Sequence, residues 1–246
     1  MEGESIILVK GISGSGKSTR VYLFLDFLEH LGIKIEPFKF VTLDQKEKQV
    51  GVYVEEFNLI FVGKYYDNGE VKRWQGYDSM TGRLCHAEGL SHFLEGVAKM
   101  GHNVLIDGAG TTVSWRLRPL DLCGTSGFTN ILHVRYDYRD DQWEEYCDRI
   151  TYRSGEPPKG DCMWRKHTTF QHDFEKAVKE AEEVKECGAH VELFDEPYDV
   201  PVWDLGVKIF NFFGLADITE EFVEYCEKSD YLKKNSFETF EAMKNK

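Results

Sequence analysis

An eight-residue glycine-rich segment near the start of the chain constrains its fold more than any other feature. It reads Gly-Ile-Ser-Gly-Ser-Gly-Lys-Ser over residues 11–18 and matches the pattern G-x-x-x-x-G-K-[ST] at every fixed position. A short apolar run at 6–9 precedes it, and apolar residues at helical spacing follow it over 18–31. The order of strand, loop and helix predicts a phosphate-binding loop (P-loop) for a nucleoside triphosphate.

Each residue type in this segment has a physical role. The glycines let the backbone curl so that successive N–H groups face phosphate oxygens, and the helix N-terminus adds its positive end. Lys17 is expected to reach the β- and γ-phosphates, and Ser18 is expected to hold Mg²⁺. We therefore expect ATP and Mg²⁺ as cofactors, bound by Gly11, Ser13, Gly14, Ser15, Gly16, Lys17, Ser18 and Thr19.

Composition and charge narrow the class of protein. The chain has 246 residues, of which 41% are hydrophobic and 30% charged, typical of a globular protein. It has no apolar run long enough to span a membrane and no room for a signal peptide before its first strand, which predicts a cytoplasmic location. The net charge of −13 disfavours non-specific binding of nucleic acid. Basic residues concentrate between 116 and 166, where a local basic surface would lie.

Strand and helix patterns alternate along the chain and predict an α/β fold with a mostly parallel five-stranded sheet and flanking helices. The expected strands are 5–10, 38–43, 103–106, 130–134 and 190–194, with an inserted β-hairpin over 50–54 and 58–62. We expect a P-loop kinase domain over 1–214, with a hairpin and acceptor-loop insertion at about 50–84 and a lid at about 149–166. Residues 215–246 are predicted to form a C-terminal helical extension.

Two aspartates follow predicted strands. Asp107 ends the apolar run 103–106, which is the position where a carboxylate holds Mg²⁺ in P-loop enzymes. Asp44 closes the second predicted strand and is a candidate base facing the acceptor hydroxyl; the alternative is an acid in a surface turn.

Two further segments carry candidate catalytic residues. The loop 63–84 contains glycines, aromatic residues, Arg73 and Asp78, a composition that suits an acceptor site with Asp78 as the base; the alternative is a hairpin with a solvated tip. Arg149 and Arg153 lie four residues apart, on one helical face before a Pro- and Gly-containing stretch. This arrangement is typical of a lid whose arginines close over the transferring phosphate.

The order of these motifs resembles a known family. With the P-loop, the Gly63-Lys64-Tyr65 and Gly76-Tyr77-Asp78 stretches and the 104–108 run Val-Leu-Ile-Asp-Gly in this order, the chain is similar to the 5-hydroxymethyluracil DNA kinases of phage thymine hypermodification. The resemblance covers roughly residues 5–155. It implies a phage-encoded kinase in the host cytoplasm that phosphorylates the 5-hydroxymethyl group of a pyrimidine in DNA.

Two other functions stay open at this point. The acidity favours a kinase for a free nucleoside, nucleotide or other small metabolite. A regulatory NTP-binding switch without an acceptor is the second alternative, although the chain lacks the Asn-Lys-x-Asp motif of GTPases.

Overall fold

A seven-stranded sheet forms the middle layer of the molecule. The computed structural model describes residues 3–63, 65–67, 70–71, 84, 86–108, 114–158, 160–161 and 165–229. The strands of the sheet lie in the order β2-β3-β4-β7-β1-β8-β9, and β5 and β6 form a separate two-stranded ribbon. In chain order the strands are β1 Ser5–Lys10, β2 Ile35–Val41, β3 Glu47–Val54, β4 Leu59–Val62, β5 Tyr66–Asp67, β6 Glu70–Val71, β7 Asn103–Asp107, β8 Asn130–Asp137 and β9 His190–Pro197.

Helices cover both faces of this sheet. They are α1 Lys17–His30, α2 Ala87–Lys99, α3 Pro119–Asp121, α4 Trp143–Ser154, α5 Arg165–Glu186, α6 Asp204–Phe212 and α7 Thr219–Lys228, joined in places by short 3-10 or π turns. None of the helices within the described ranges is both long and apolar enough to cross a membrane.

The pairing of the strands corrects the predicted topology. β4, β7, β1, β8 and β9 are mutually parallel and form the five-stranded core. The fifth member of that core is β4, the second strand of the predicted hairpin. The strand predicted at 38–43 instead forms β2, at the edge of the sheet, antiparallel to β3. The hairpin is therefore part of the main sheet, because the fully buried β4 binds β7 on one side and β3 on the other.

Alternating side chains of the central strands enter two separate cores. In β1, Ile6 and Leu8 pack with α2 and α5, whereas Ile7 and Val9 pack with α1, α6 and α7. This period of two is what a strand covered on both faces requires. The two helical layers therefore fix β1 from both sides, and with β1 the loop that follows it.

The helix α7, in the region predicted as a C-terminal extension, packs into the hydrophobic core. Phe222 of α7 is fully buried, and its ring centroid lies 5.1 Å from that of Phe27 and 5.6 Å from that of Phe210. A Cβ on Gly206 of α6 would lie 2.0 Å from the Phe222 ring, so the two helices meet where no side chain intervenes. Residues 216–229 therefore pack as an integral part of the α1 layer.

Candidate active site

The glycine-rich loop leaves β1 with its glycines in conformations that other residues rarely adopt. Gly11, Gly14 and Gly16 have φ of 136°, 84° and 80°. A Cβ on Gly11 would lie 1.8 Å from the carbonyl oxygen of Tyr136, closer than any real contact. Left-handed residues placed between ordinary ones turn successive N–H groups toward one side, which makes an anion-binding concavity. The loop then runs directly into the N-terminus of α1, where the helix dipole favours a negative charge.

Lys17 lies against this loop. Its ammonium group donates a hydrogen bond of 2.8 Å to the carbonyl oxygen of Ile12 and lies 3.4 Å from the Ser15 hydroxyl. Ser15 itself donates to the Ile12 carbonyl at 2.9 Å. The side chain of Lys17 is 8% exposed, so its charge is directed into the loop and away from bulk solvent.

Asp107 reaches the same edge of the sheet as the loop. It is the last residue of β7, which pairs with β1 so that Asp107 stands opposite Val9, two residues before Gly11. The following residue, Gly108, donates its N–H to the Val9 carbonyl at 2.9 Å. A buried carboxylate, 2% exposed, therefore lies at the strand end from which the phosphate loop emerges.

The loop, Ser18 and Asp107 fit a magnesium–nucleotide complex. Mg²⁺ prefers oxygen ligands and is usually held by one or two carboxylates together with substrate phosphates. A serine at the start of α1 and the aspartate at the end of β7 are the residues that could supply that donor set. Within the described ranges, no group of three or more His, Cys, Asp or Glu side chains could hold a metal on its own.

Asp44 lies far from these groups. It occupies the turn between β2 and β3, where it accepts hydrogen bonds from the Thr42 hydroxyl and, at 2.6 Å, from the Lys48 ammonium group. These two bonds lower the pKa of Asp44 to about 2. Three strands, β3, β4 and β7, separate β2 from β1, a distance of roughly 19 Å at about 4.8 Å per strand. Asp44 therefore has the environment of a turn acid.

Arg149 lies beside the phosphate loop. Its guanidinium carbon is 4.5 Å from the ring centroid of Tyr198. The neighbouring Ile150 packs at Gly14, where an added Cβ would lie 3.2 Å from its Cδ1 atom. Arg153 is one turn further along α4, and its side chain lies outside the described part of the structure.

The acceptor-loop prediction falls mostly outside the described residues. Asp78, Arg73, Trp74 and Tyr77 are among the residues that are not described. Tyr65, at the start of this segment, is 2% exposed, and its ring meets that of Phe61 edge-on with centroids 6.3 Å apart. Tyr65 thus packs in the core of the protein.

Several residues that surround the loop were not found by sequence reasoning. Arg20, Tyr138 and Tyr198 contact it or each other, through hydrogen bonds that span as many as 178 positions. Arg20 lies within the apolar stripe of α1, and a charged residue in such a stripe was the one available signal.

A group of buried charges lies on the α5 side of the sheet, next to the start of the loop. Lys10, directly before Gly11, pairs with Asp173 of α5 at 3.2 Å. Arg135 of β8 binds both carboxylate oxygens of Asp195, at 2.7 and 3.0 Å. His133, two residues before Arg135 on β8, is 1% exposed, and its ring centroid lies 5.1 Å from that of Phe174 on α5. Burial, with Lys10 and Arg135 nearby, holds the pKa of His133 well below its usual value.

Comparison with known proteins identifies the family. The sequence model of the 5-hmdU DNA kinase 2 family matches residues 3–196, which include the phosphate loop, Asp107 and α4. The chain belongs to this family. It is also 26% identical over 256 residues to the 5-hmdU DNA kinase 2 of Salmonella phage ViI, an alignment that covers 90% of this chain and 82% of that protein. The predicted relationship to phage DNA kinases, and with it the prediction of a phosphotransferase, is confirmed.

Among solved structures, a gluconokinase from Sinorhizobium meliloti 1021 aligns with 92% of this chain and 98% of its own. The sequence identity is 14% and the TM-score 0.31, values too low to support an argument about function.

Proposed function

We propose that this protein transfers the γ-phosphoryl group of ATP to the hydroxymethyl group of 5-hydroxymethyluracil in DNA. The observation that carries the proposal is the joint presence of a complete phosphate loop, a buried aspartate at the adjacent strand end and membership of the 5-hmdU DNA kinase 2 family. The family supplies the acceptor, and the loop supplies the donor site.

Residues of the phosphate loop, β7 and α4 have separate proposed roles in this transfer. The loop amides and Lys17 bind the phosphates of ATP, and Ser18 and Asp107 hold Mg²⁺. The metal, when bound, neutralises charge that develops on the transferred group. Arg149 and Arg153 are proposed to neutralise charge that develops on that group and to exclude water. Phosphoryl transfer requires little beyond positioning and charge stabilisation, so this set needs only a base for the acceptor hydroxyl in addition.

The base that orients the acceptor hydroxyl is proposed to be Asp78. Asp44, the other candidate, is held by Lys48 and Thr42, and its pKa of about 2 makes it a weak proton acceptor. Tyr66, Trp74 and Tyr77 of the 63–84 segment are proposed to receive the base, since chemistry on a base in duplex DNA requires its removal from the stack.

The test is transfer of label from γ-labelled ATP in the presence of Mg²⁺. The acceptors are duplex DNA containing 5-hydroxymethyluracil, the same duplex with thymine, and the free nucleosides and nucleotides. We expect label on the modified DNA alone, and none with Lys17→Ala. Label on a nucleoside or nucleotide would replace the DNA acceptor with a small molecule. Release of phosphate alone would indicate an NTP-hydrolysing switch.

A further inference from the structure

The carbonyl groups of the phosphate loop are held by side chains from other parts of the chain. The Gly14 carbonyl accepts a hydrogen bond of 2.9 Å from the Tyr138 hydroxyl, and the Ser15 carbonyl accepts one of 3.1 Å from Nη1 of Arg20. A loop that turns its N–H groups toward a phosphate must turn carbonyl groups toward the protein, where each requires a donor. Tyr138 and Arg20 are those donors.

Arg20 binds two separate backbone segments with one guanidinium group. While Nη1 binds Ser15, Nη2 donates to the carbonyl oxygens of Tyr198 at 3.0 Å and Val200 at 2.7 Å. The guanidinium carbon lies 4.2 Å from the ring centroid of Tyr136, and Arg20 is 2% exposed. Only a planar group with several fixed donors can serve two loops at once; a lysine carries its three donors on a single atom.

Tyr138 connects the same two segments by a second route. Its ring stacks on that of Tyr198 with centroids 4.1 Å apart and planes inclined by 20°, while its hydroxyl binds Gly14. The segment after β9 is thus held by Arg20 through its backbone and by Tyr138 through the ring of Tyr198. Arg20 and Tyr138 both lie outside the glycine-rich motif at 11–18.

We propose that Arg20 and Tyr138 are positioning residues for nucleotide binding, which fix the phosphate loop through the carbonyl groups of Ser15 and Gly14. They act on the orientation of the loop amides and do not touch the phosphates themselves. The proposal rests on the nucleotide-binding part of the proposed function and extends it to two residues outside the motif. Loss of either donor allows the loop to rotate a peptide unit, and the amide on that unit then no longer faces the nucleotide.

The test compares Tyr138→Phe, Arg20→Lys and the double variant with wild-type protein. Tyr138→Phe removes one hydroxyl and keeps the ring that stacks on Tyr198. Tyr225→Phe is the matched control, because its hydroxyl donates to Asp26 between α7 and α1 at 2.5 Å and has no contact with the loop. The measurements are the Kd for ATP by titration calorimetry without DNA, the KM for ATP and kcat at saturating ATP, and Tm.

We expect Tyr138→Phe to raise the Kd for ATP about fivefold, which corresponds to one hydrogen bond of about 1 kcal/mol. Arg20→Lys should raise it about tenfold or more, because three bonds are lost. The double variant should show less than the product of the two effects, because both residues hold neighbouring peptide units. The KM for ATP should follow the Kd, with kcat changed less. Tyr225→Phe should lower Tm and leave the Kd unchanged.

An unchanged Kd in both single variants would overturn the proposal and show that the two residues serve only to pack the fold. If Arg20→Lys fails to fold, Tyr138→Phe alone decides. The result is separable from the proposed function: wild-type protein that binds ATP and phosphorylates no DNA would overturn only the acceptor.

Discussion

Gly11 shows how strongly a single position in this loop is constrained. Gly11→Ala would place a methyl group 1.8 Å from the Tyr136 carbonyl, at a φ of 136°. We expect loss of ATP binding, and a destabilisation larger than the roughly 1–2 kcal/mol that a left-handed alanine costs by itself. Gly32→Ala is the matched control, since its φ is +77° and nothing lies within 4 Å of the added Cβ. Calorimetric ATP titration and urea unfolding would measure both. Equal effects of the two substitutions would contradict the steric argument.

His133 makes stability depend on pH in a defined window. The unfolded chain protonates this histidine at about pH 6.5. In the folded protein burial, Lys10 and Arg135 lower its pKa well below that value. Between the two pKa values the unfolded state binds a proton that the native state does not. The free energy of unfolding therefore falls as the pH drops below 6.5, by up to about 1.4 kcal/mol per pH unit.

His133→Gln, which does not titrate, should remove this part of the slope. Urea denaturation between pH 7.5 and 5 would measure it, with exposed His190→Gln as the control. The comparison cancels the contributions of Lys10, Arg135 and Asp173, which are present in all three proteins. The same slope in wild-type protein and His133→Gln would show that the histidine is protonated inside the fold.

The residues of the loop were accessible from sequence, and those that hold it were not. Gly11 to Ser18 are contiguous, so a local pattern contains the conformational requirement of each. Arg20 and Tyr198 meet only because the fold brings the first turn of α1 against the segment that follows β9. No spacing along the chain encodes that contact, and a single sequence contains no other record of it.

At the scale of elements, patterns of apolar residues predicted where the strands lie better than they predicted which strands pair with each other. The hairpin over 50–62 was predicted, and β3 and β4 do pair antiparallel. The sequence did not show which of its strands joins the parallel core. β4 does so because Leu59–Val62 is buried on both faces, whereas four of the seven residues of β2 are exposed, as in an edge strand. The segment 38–43 is apolar enough to predict a central strand, and its true position depends on which strands it pairs with.

The β2–β3 turn gives a prediction about the catalytic base. Asp44→Asn should leave kcat within about twofold of wild type, because roughly 19 Å of sheet separates this turn from β1. Asp78→Asn should lower kcat and leave the Kd for ATP nearly unchanged. Steady-state transfer to modified DNA measures the first quantity and calorimetry the second. A large loss of turnover in Asp44→Asn alone would return the role of base to Asp44.

At the scale of the whole molecule, the C-terminal helix limits where the chain can be shortened. A chain ending at Gly214 would expose the aromatic cluster formed by Phe24, Phe27 and Phe210, against which Phe222 packs. Loss of a buried phenylalanine costs about 3–5 kcal/mol, or a Tm decrease of roughly 6–20 °C for a chain of this length. A chain ending at Ser229 keeps α7 and is the control. Thermal unfolding of the two shortened chains and of Phe222→Ala would distinguish the contribution of α7 from that of the residues after it. Identical Tm values for the chains ending at Gly214 and Ser229 would contradict a structural role for α7.

The distribution of charge predicts how DNA binding responds to salt. The net charge is −13, and Arg116, Arg118 and Arg135 pair with Asp121, Glu180 and Asp195. These arginines do not form the basic surface that their position in the sequence indicates. We expect about two phosphate contacts, and hence a KM for DNA that rises roughly tenfold between 50 and 200 mM salt. The KM for ATP is the control. A KM for the acceptor without salt dependence would favour a free nucleoside.

The carbonyl groups that the phosphate loop turns toward the rest of the protein limit how the loop can be transplanted or redesigned. The eight motif residues carry the glycine conformations with them into any host, but the donors to the Gly14 and Ser15 carbonyls come from Tyr138 and Arg20. A graft of the motif alone would leave those oxygens to solvent. Two proteins with an identical glycine-rich segment can therefore differ in nucleotide affinity, and a designer who wants this loop must also import the side chains behind it.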